Sequence, residues 1–151
     1  MLGIFAVTGP MMVRGWWKLR ALNLTFPAYT QALLPRDYKT AYAFGSSEFG
    51  KATSYEEFVK ALGTAQERLG DLKSVKQGRT IVNGEGSTPG WVGRITADQT
   101  YARGQVGLLY EFHWENNRWS LFGFKELRVR QVSTLATCNF RRASVPSENV
   151  L

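Results

Sequence analysis

The chain's 151 residues suit one domain with ragged ends, and a content of 44% hydrophobic and 13% aromatic residues can fill a core, which excludes wholesale disorder. A formal charge of +7 reads first as a solvated surface and second as a contact for anionic lipid or an acidic protein. Nucleic acid ranks last, because the cations are scattered: the densest groups are Arg14/Lys18/Arg20, Arg128/Arg130 and Arg141/Arg142. The single cysteine, Cys138, excludes an internal disulfide, and no metal-spaced Cys/His set accompanies it, so neither metal nor cofactor is expected.

Residues 1–21 read as an apolar and then basic leader. The stretch MLGIFAVTGPMMV is followed by Arg14, Trp16, Trp17, Lys18 and Arg20. A secretory signal carries its positive charge before the apolar run, so this order argues against one. The run is shorter than the roughly 20 apolar residues of a spanning helix, and Gly9-Pro10 interrupts it. Two readings remain open. Either the leader packs on protein, its own domain or a partner's, or it lies at a membrane interface. Tryptophan beside lysine and arginine suits headgroup depth. Arg14, Trp16, Trp17, Lys18 and Arg20 are therefore the candidate contacts for a partner or membrane; the compartment stays open, with membrane association one reading of it.

Residues 22–130 carry the periodicity of a folded domain. Leu22, Phe26, Tyr29 and Leu33 recur on one helical face. Pro27 should kink this helix or start its second part, and Pro35 ends it. Asp37 caps a short helix over Tyr38–Phe44, with Gly45 as its stop. Ser54-Tyr55-Glu56-Glu57 has the spacing of a capping box, and Phe58, Leu62, Ala65 and Leu69 follow on one face before Gly70.

Strands follow: Lys73–Val82, Trp91–Tyr101, Gln105–Trp114 and Arg118–Arg130, joined by GEGSTPG, Arg103-Gly104 and Asn116-Asn117. Helices followed by a strand meander define an α+β fold. The expected architecture is three helices on the concave face of a curved, mostly antiparallel sheet of four to five strands. A two-residue turn at Asn116-Asn117 pairs Trp114 with Trp119, Phe112 with Leu121 and Tyr110 with Gly123. It puts Val106, Leu108, Tyr110, Phe112, Trp114, Trp119 and Leu121 on one face. Leu109, Glu111, His113, Ser120, Phe122 and Phe124 fall on the other. Aromatics on both faces call for a second cover, a partner subunit or the leader. Residues 131–151 read as a weakly patterned C-terminal arm.

The stretch LLPRDYKTAYAFGSSEFGKATSYEEFVKAL resembles the helical opening of bacterial nuclear-transport-factor-like (cystatin-like) domains of unknown function. EFHWENNRWSLFGF resembles their closing hairpin, with Asn117-Arg118 where these domains usually have a glycine before the Trp119 position. The resemblance covers about residues 22–130. It implies a cone of three helices in a curved sheet, in a superfamily whose members include isomerases, hydrolases, small-molecule binders and non-catalytic modules. Several bacterial relatives carry the domain just after a membrane helix. Function does not follow from such a fold.

Catalytic members of that superfamily place an acid–base group inside the cone. His113 is the chain's one histidine; it shares a face with Glu111, and Arg94 falls on the neighbouring strand. Such a pair transfers protons when buried with a substrate; on a half-exposed strand it is one more solvated pair. Tyr110 and Asp98 complete the set of ligand-pocket candidates. No H-E-x-x-H, G-x-S-x-G or Walker motif is present, and no catalytic residue is assigned. The expected function is a non-catalytic interaction module, an accessory or scaffolding subunit of a larger, membrane-bound complex with protein partners. The alternative is a small-ligand-binding domain, or a weak acid–base enzyme, with an aromatic cone cavity.

Overall fold

The structure is a computed structural model that describes the backbone of residues 9–84 and 90–131, and side chains between Gly15 and Arg130 within those limits. The tips of the leader, the GEGSTPG turn, the C-terminal arm and Cys138 lie largely or wholly outside the described residues.

Among the described residues four helices precede four strands: α1 (Gly9–Leu33), α2 (Tyr38–Tyr42), α3 (Ser47–Ala52), α4 (Tyr55–Leu69), β1 (Leu72–Asn83), β2 (Val92–Tyr101), β3 (Gly104–Glu115) and β4 (Arg118–Gln131). The α+β expectation holds. The strands form one antiparallel sheet in the order β1-β2-β3-β4, curled so that the helices pack on its concave face.

Most helix ends have a local cause. α1 is described from Gly9 onward, so Gly9 and Pro10 lie within it. The leader and the first helix are thus one element, with no break at residue 21 or 22, and Pro27 interrupts neither. Its end is closed by the N–H groups of Arg36 and Asp37, which donate to Leu33 and Ala32. Asp37 caps α2 by accepting from the Thr40 N–H at 3.1 Å. Sequence reading missed α3, which Ser46 caps by accepting from the Phe49 N–H at 3.0 Å. In α4 the capping box closes as expected: Ser54 Oγ accepts from Glu57 N–H at 3.2 Å, and Glu57 Oε2 accepts from Ser54 N–H at 2.8 Å.

The core joins both layers. Leu22, Phe26, Tyr29 and Leu33 of α1, Phe49, Phe58, and Ile95, Tyr110, Phe112, Trp119 and Leu121 of the sheet are buried in one cluster, with Leu62 packed against it. Phe26 stands edge-on to Tyr110 at 5.2 Å between ring centres, and Phe49 edge-on to Phe58 at 6.0 Å. Gly93 makes the crossing of α1 over β2 possible: a Cβ there would collide with the Leu22 side chain and lie 3.2 Å from the Trp119 ring.

The register near the turn is as read: Glu115 pairs with Arg118, Trp114 with Trp119 and Phe112 with Leu121. Beyond that point it must be corrected. A bulge at Phe122 lets β4 gain a residue, so Gly123 pairs with Glu111 and Phe124 with Tyr110. The phase inverts, and Phe124 joins the concave side, 6.0 Å from Tyr110 and 6.4 Å from Phe58. Gly123 therefore leaves no room beside Tyr110. The irregularity is anchored: Leu121 N–H donates to Phe44 O, and Leu121 O accepts from Ser46 N–H at 2.8 Å.

Candidate functional site

The sequence candidates separate into three places. Tyr110 is alone in the interior. Glu111, His113 and Asp98 belong to the opposite, convex face of the sheet. Trp16, Trp17, Lys18 and Arg20 lie on the first half of α1, and the Arg14 side chain lies outside the described residues.

On the convex face Glu111 holds two partners. Arg94 Nε donates to Glu111 Oε2 at 2.8 Å, and His113 Nε2 lies 3.0 Å from Glu111 Oε1. The pairing follows from the register, which sets Arg94 opposite Glu111, while His113 is two residues further along the same strand and face. The His113 ring stacks on Phe122 at 3.9 Å, nearly parallel. Burial pushes the Glu111 carboxyl up, but the hydrogen bonds from His113 and Arg94 and their charges outweigh it, so it stays below the usual glutamate range. Asp98 is further along β2, where it accepts from Arg128 at 3.0 Å. The His–Glu pair that sequence reading proposed does form, on the sheet's outer surface rather than inside the cone. Its side chains are each 27% exposed.

Inside the cone Tyr110 belongs to a polar cluster that sequence reading did not assemble. Tyr101 O–H donates to Gln99 Oε1 at 2.7 Å, and Gln99 Nε2 donates to Tyr110 Oη at 2.7 Å. Gln99 is buried. Tyr29, fully buried on α1, has its ring centre 5.7 Å from that of Tyr110. The hydroxyls of Tyr29 and of Tyr38, at the start of α2, are buried without a hydrogen-bond partner among the described residues. Burial, with the neighbouring hydroxyls adding to it, raises Tyr29, Tyr101 and Tyr110, Tyr101 to about 12. Tyr101 also lines a cleft of about 230 Å3 between α4 and the sheet, walled by Leu62, Ala65, Leu69, Leu108 and Phe124. The clue in the sequence was Gln99, the one polar residue among Ile95, Ala97 and Tyr101 on the inward phase of β2.

On α1 the two faces differ in a way period 3.6 explains. Leu22, Phe26, Tyr29 and Leu33 point into the core. Trp16, Trp17, Arg20 and Leu24 share the outward face. Trp16 and Trp17 are 55% and 57% exposed, and Leu24 68%. The Arg20 guanidinium lies 5.7 Å and 5.9 Å from their two ring centres. Lys18 points the other way. Its ammonium sits 3.1 Å over the Trp114 ring, and burial there lowers its pKa. Lys18 is therefore a packing residue, not a free contact. No acidic residue precedes Asp37 in the chain. Among the described residues no helix is long and apolar enough to cross a membrane.

Neither a family model nor a curated protein matches this sequence.

Proposed function

We propose that the chain is a non-catalytic interaction module, an accessory subunit that attaches to a larger membrane-bound complex through the outward face of α1. The observation that carries this reading is the pair Trp16 and Trp17, more than half exposed beside Arg20 on a helix whose other face is committed to the core. Exposed aromatic rings with an adjacent arginine are the residue types that anchor interfaces. The positive, acid-free start of the chain adds attraction to an anionic surface. The kinship with nuclear-transport-factor-like domains belongs to the same proposal and rests on the two sequence stretches quoted above. Against an acid–base enzyme, the His113–Glu111 pair is on the convex face of the sheet and not inside the cone, with both side chains 27% exposed.

The test uses the full chain carrying Trp16→Ser and Trp17→Ser. Both side chains are exposed, so the fold should survive, as unfolding curves would show. The native protein should co-purify with a larger assembly from gently solubilised native membranes, and the double variant should be found as free monomer. Co-purification unchanged by the two substitutions, or a native protein that is itself a free monomer, would rule the proposal out.

A further inference from the structure

The helices pack on the concave side of the sheet and leave its convex side open. On β3 the convex phase is Gln105, Gly107, Leu109, Glu111 and His113. The register sets Arg130, Arg128 and Lys125 of β4 opposite the first three, and Asp98 and Arg94 of β2 opposite Gly107 and Glu111. Lys76 of β1 lies opposite Asp98 in turn. Directly opposed residues share a face, so these five cations stand together, and all are exposed. Glu111 takes Arg94, and Asp98 takes Arg128. Glu115, at the hairpin end of the same phase, is engaged with the Ser47 N–H. Lys76, Lys125 and Arg130 have no carboxylate within salt-bridge reach among the described residues.

The middle of this face is hollowed. A Cβ at Gly78 would collide with Thr96 Oγ1, and one at Gly107 would press on Arg128 and Asp98, so two glycines keep the space over β2 clear. The hollow measures about 240 Å3, with Leu127 and Arg128 among its walls. Leu127 is the extra residue of a second bulge in β4, between the pairs Gly107–Arg128 and Leu108–Glu126, and is 53% exposed. The face thus combines unpaired cations with a seat for one aliphatic side chain.

Charge selects the occupant. A second copy of this face would bring the same excess of cations and be repelled. The chain's own ends do not fit either. Residues 1–21 hold no acidic residue, and residues 131–151 hold Arg141 and Arg142 against Glu148 alone. A nucleic acid would need free aromatic rings for its bases, and Phe122 is already stacked on His113. The row Lys76, Asp98, Gly107, Arg128 crosses three strand spacings, about 14 Å, the reach of four or five extended residues.

We propose that the convex face binds an extended acidic segment of another protein, its carboxylates on Lys76, Lys125 and Arg130 and one aliphatic side chain in the hollow beside Leu127. The proposal is independent of docking through α1, which involves other residues.

A fluorescein-labelled peptide, Glu-Asp-Glu-Leu-Glu-Asp-Glu, titrated with the full chain and followed by anisotropy, provides the test. It should bind, and more weakly as salt is raised. Lys125→Glu with Arg130→Glu should weaken binding about tenfold or more. Lys39→Glu with Lys60→Glu, which changes the net charge equally on the helices, should have a clearly smaller effect. Leu127→Ser should remove the advantage of this peptide over one with serine in place of its leucine. All these side chains are exposed, and unfolding curves would check that the variants fold. Should the charge reversal on β4 fail to fold, Lys125→Gln with Arg130→Gln is read instead, with a loss of about threefold. No binding, equal losses in the two charge-reversal pairs, or tighter binding of a thymidine oligonucleotide than of the peptide would overturn the proposal. So would a chain that sediments as a dimer and is made monomeric by Lys125→Glu with Arg130→Glu, since the face would then be a self-contact.

Discussion

The indole N–H of Trp119 donates to the main-chain carbonyl of Lys18 at 2.8 Å, which joins β4 to the first half of α1 across 101 positions of sequence. Lys18 is held a second time by its side chain, whose ammonium rests on Trp114, and Trp114 in turn meets Trp119 edge-on at 5.4 Å. The exposed tryptophans of α1 are thus presented by a helix fastened to the sheet, and not by a loose extension.

This clamp has a measurable worth. Trp119 is 2% exposed, and its N–H has no water to turn to. Trp119→Phe loses that bond and part of the ring, and should cost about 2 kcal/mol in denaturant-induced unfolding. A change under a few tenths of a kcal/mol would mean that the clamp contributes nothing.

The crossing at Gly93 should behave as a two-residue lock. Gly93→Ala sets a methyl against the Leu22 side chain and the Trp119 ring, at a cost of about 1–3 kcal/mol. Leu22→Ala alone should also destabilise, by leaving a cavity. The double variant should lose less than the sum of the two, because each change relieves the other. Strict additivity would show that the two positions do not meet.

Glu111 gives the fold a dependence on acid. Its folded carboxyl titrates below the unfolded value, so the stability it contributes is present above the ordinary glutamate pKa of 4.5 and is lost as pH falls through the lower folded value. Glu111→Gln should flatten that part of the stability–pH curve. The loss at neutral pH should be no more than about 1 kcal/mol, as befits a partly exposed ion-pair group. Identical curves for variant and parent between pH 5 and pH 2 would contradict the assignment.

The interior tyrosines act at the other end of the scale. Burial keeps Tyr29, Tyr101 and Tyr110 protonated past the ordinary value of 10, with Tyr101 reaching about 12. Their contribution is therefore intact below pH 10 and falls away as pH rises above it, because the unfolded chain ionises first. Absorbance at the phenolate band, followed together with circular dichroism, reads this out. These three should ionise only together with loss of secondary structure. Ionisation of all six with the fold intact would be incompatible with a closed interior.

Local signals made much of this fold legible. Alternation from Tyr110 to Trp114 and the Asn-Asn turn set the strands, and both turn residues do take positive φ, 47° and 64°. The Ser54–Glu57 spacing set α4. What escaped was tertiary in origin. The bulge at Phe122 depends on Leu121 bonding to Phe44 and Ser46, a partnership that no residue near Leu121 announces. The continuity of α1 through Gly9–Leu33 hid behind glycine and proline, which here sit inside the helix rather than ending it. The tyrosine cluster draws on α1, α2, β2 and β3, so only the packed chain brings it together. The convex-face trio of Arg94, Glu111 and His113 was readable because it depends on strand register alone.

The reach of the Trp119–Lys18 bond also sets a problem in time. During synthesis Lys18 leaves the ribosome 101 residues before the tryptophan that receives it. At translation rates of about 5–20 residues per second, that is a wait on the order of ten seconds. For most of that interval Leu22, Phe26 and Tyr29 lack the sheet residues that cover them, Gly93, Tyr110 and Phe112. Until then this greasy ridge is exposed on the nascent chain, a hazard of association that the fold removes only when its last strands arrive.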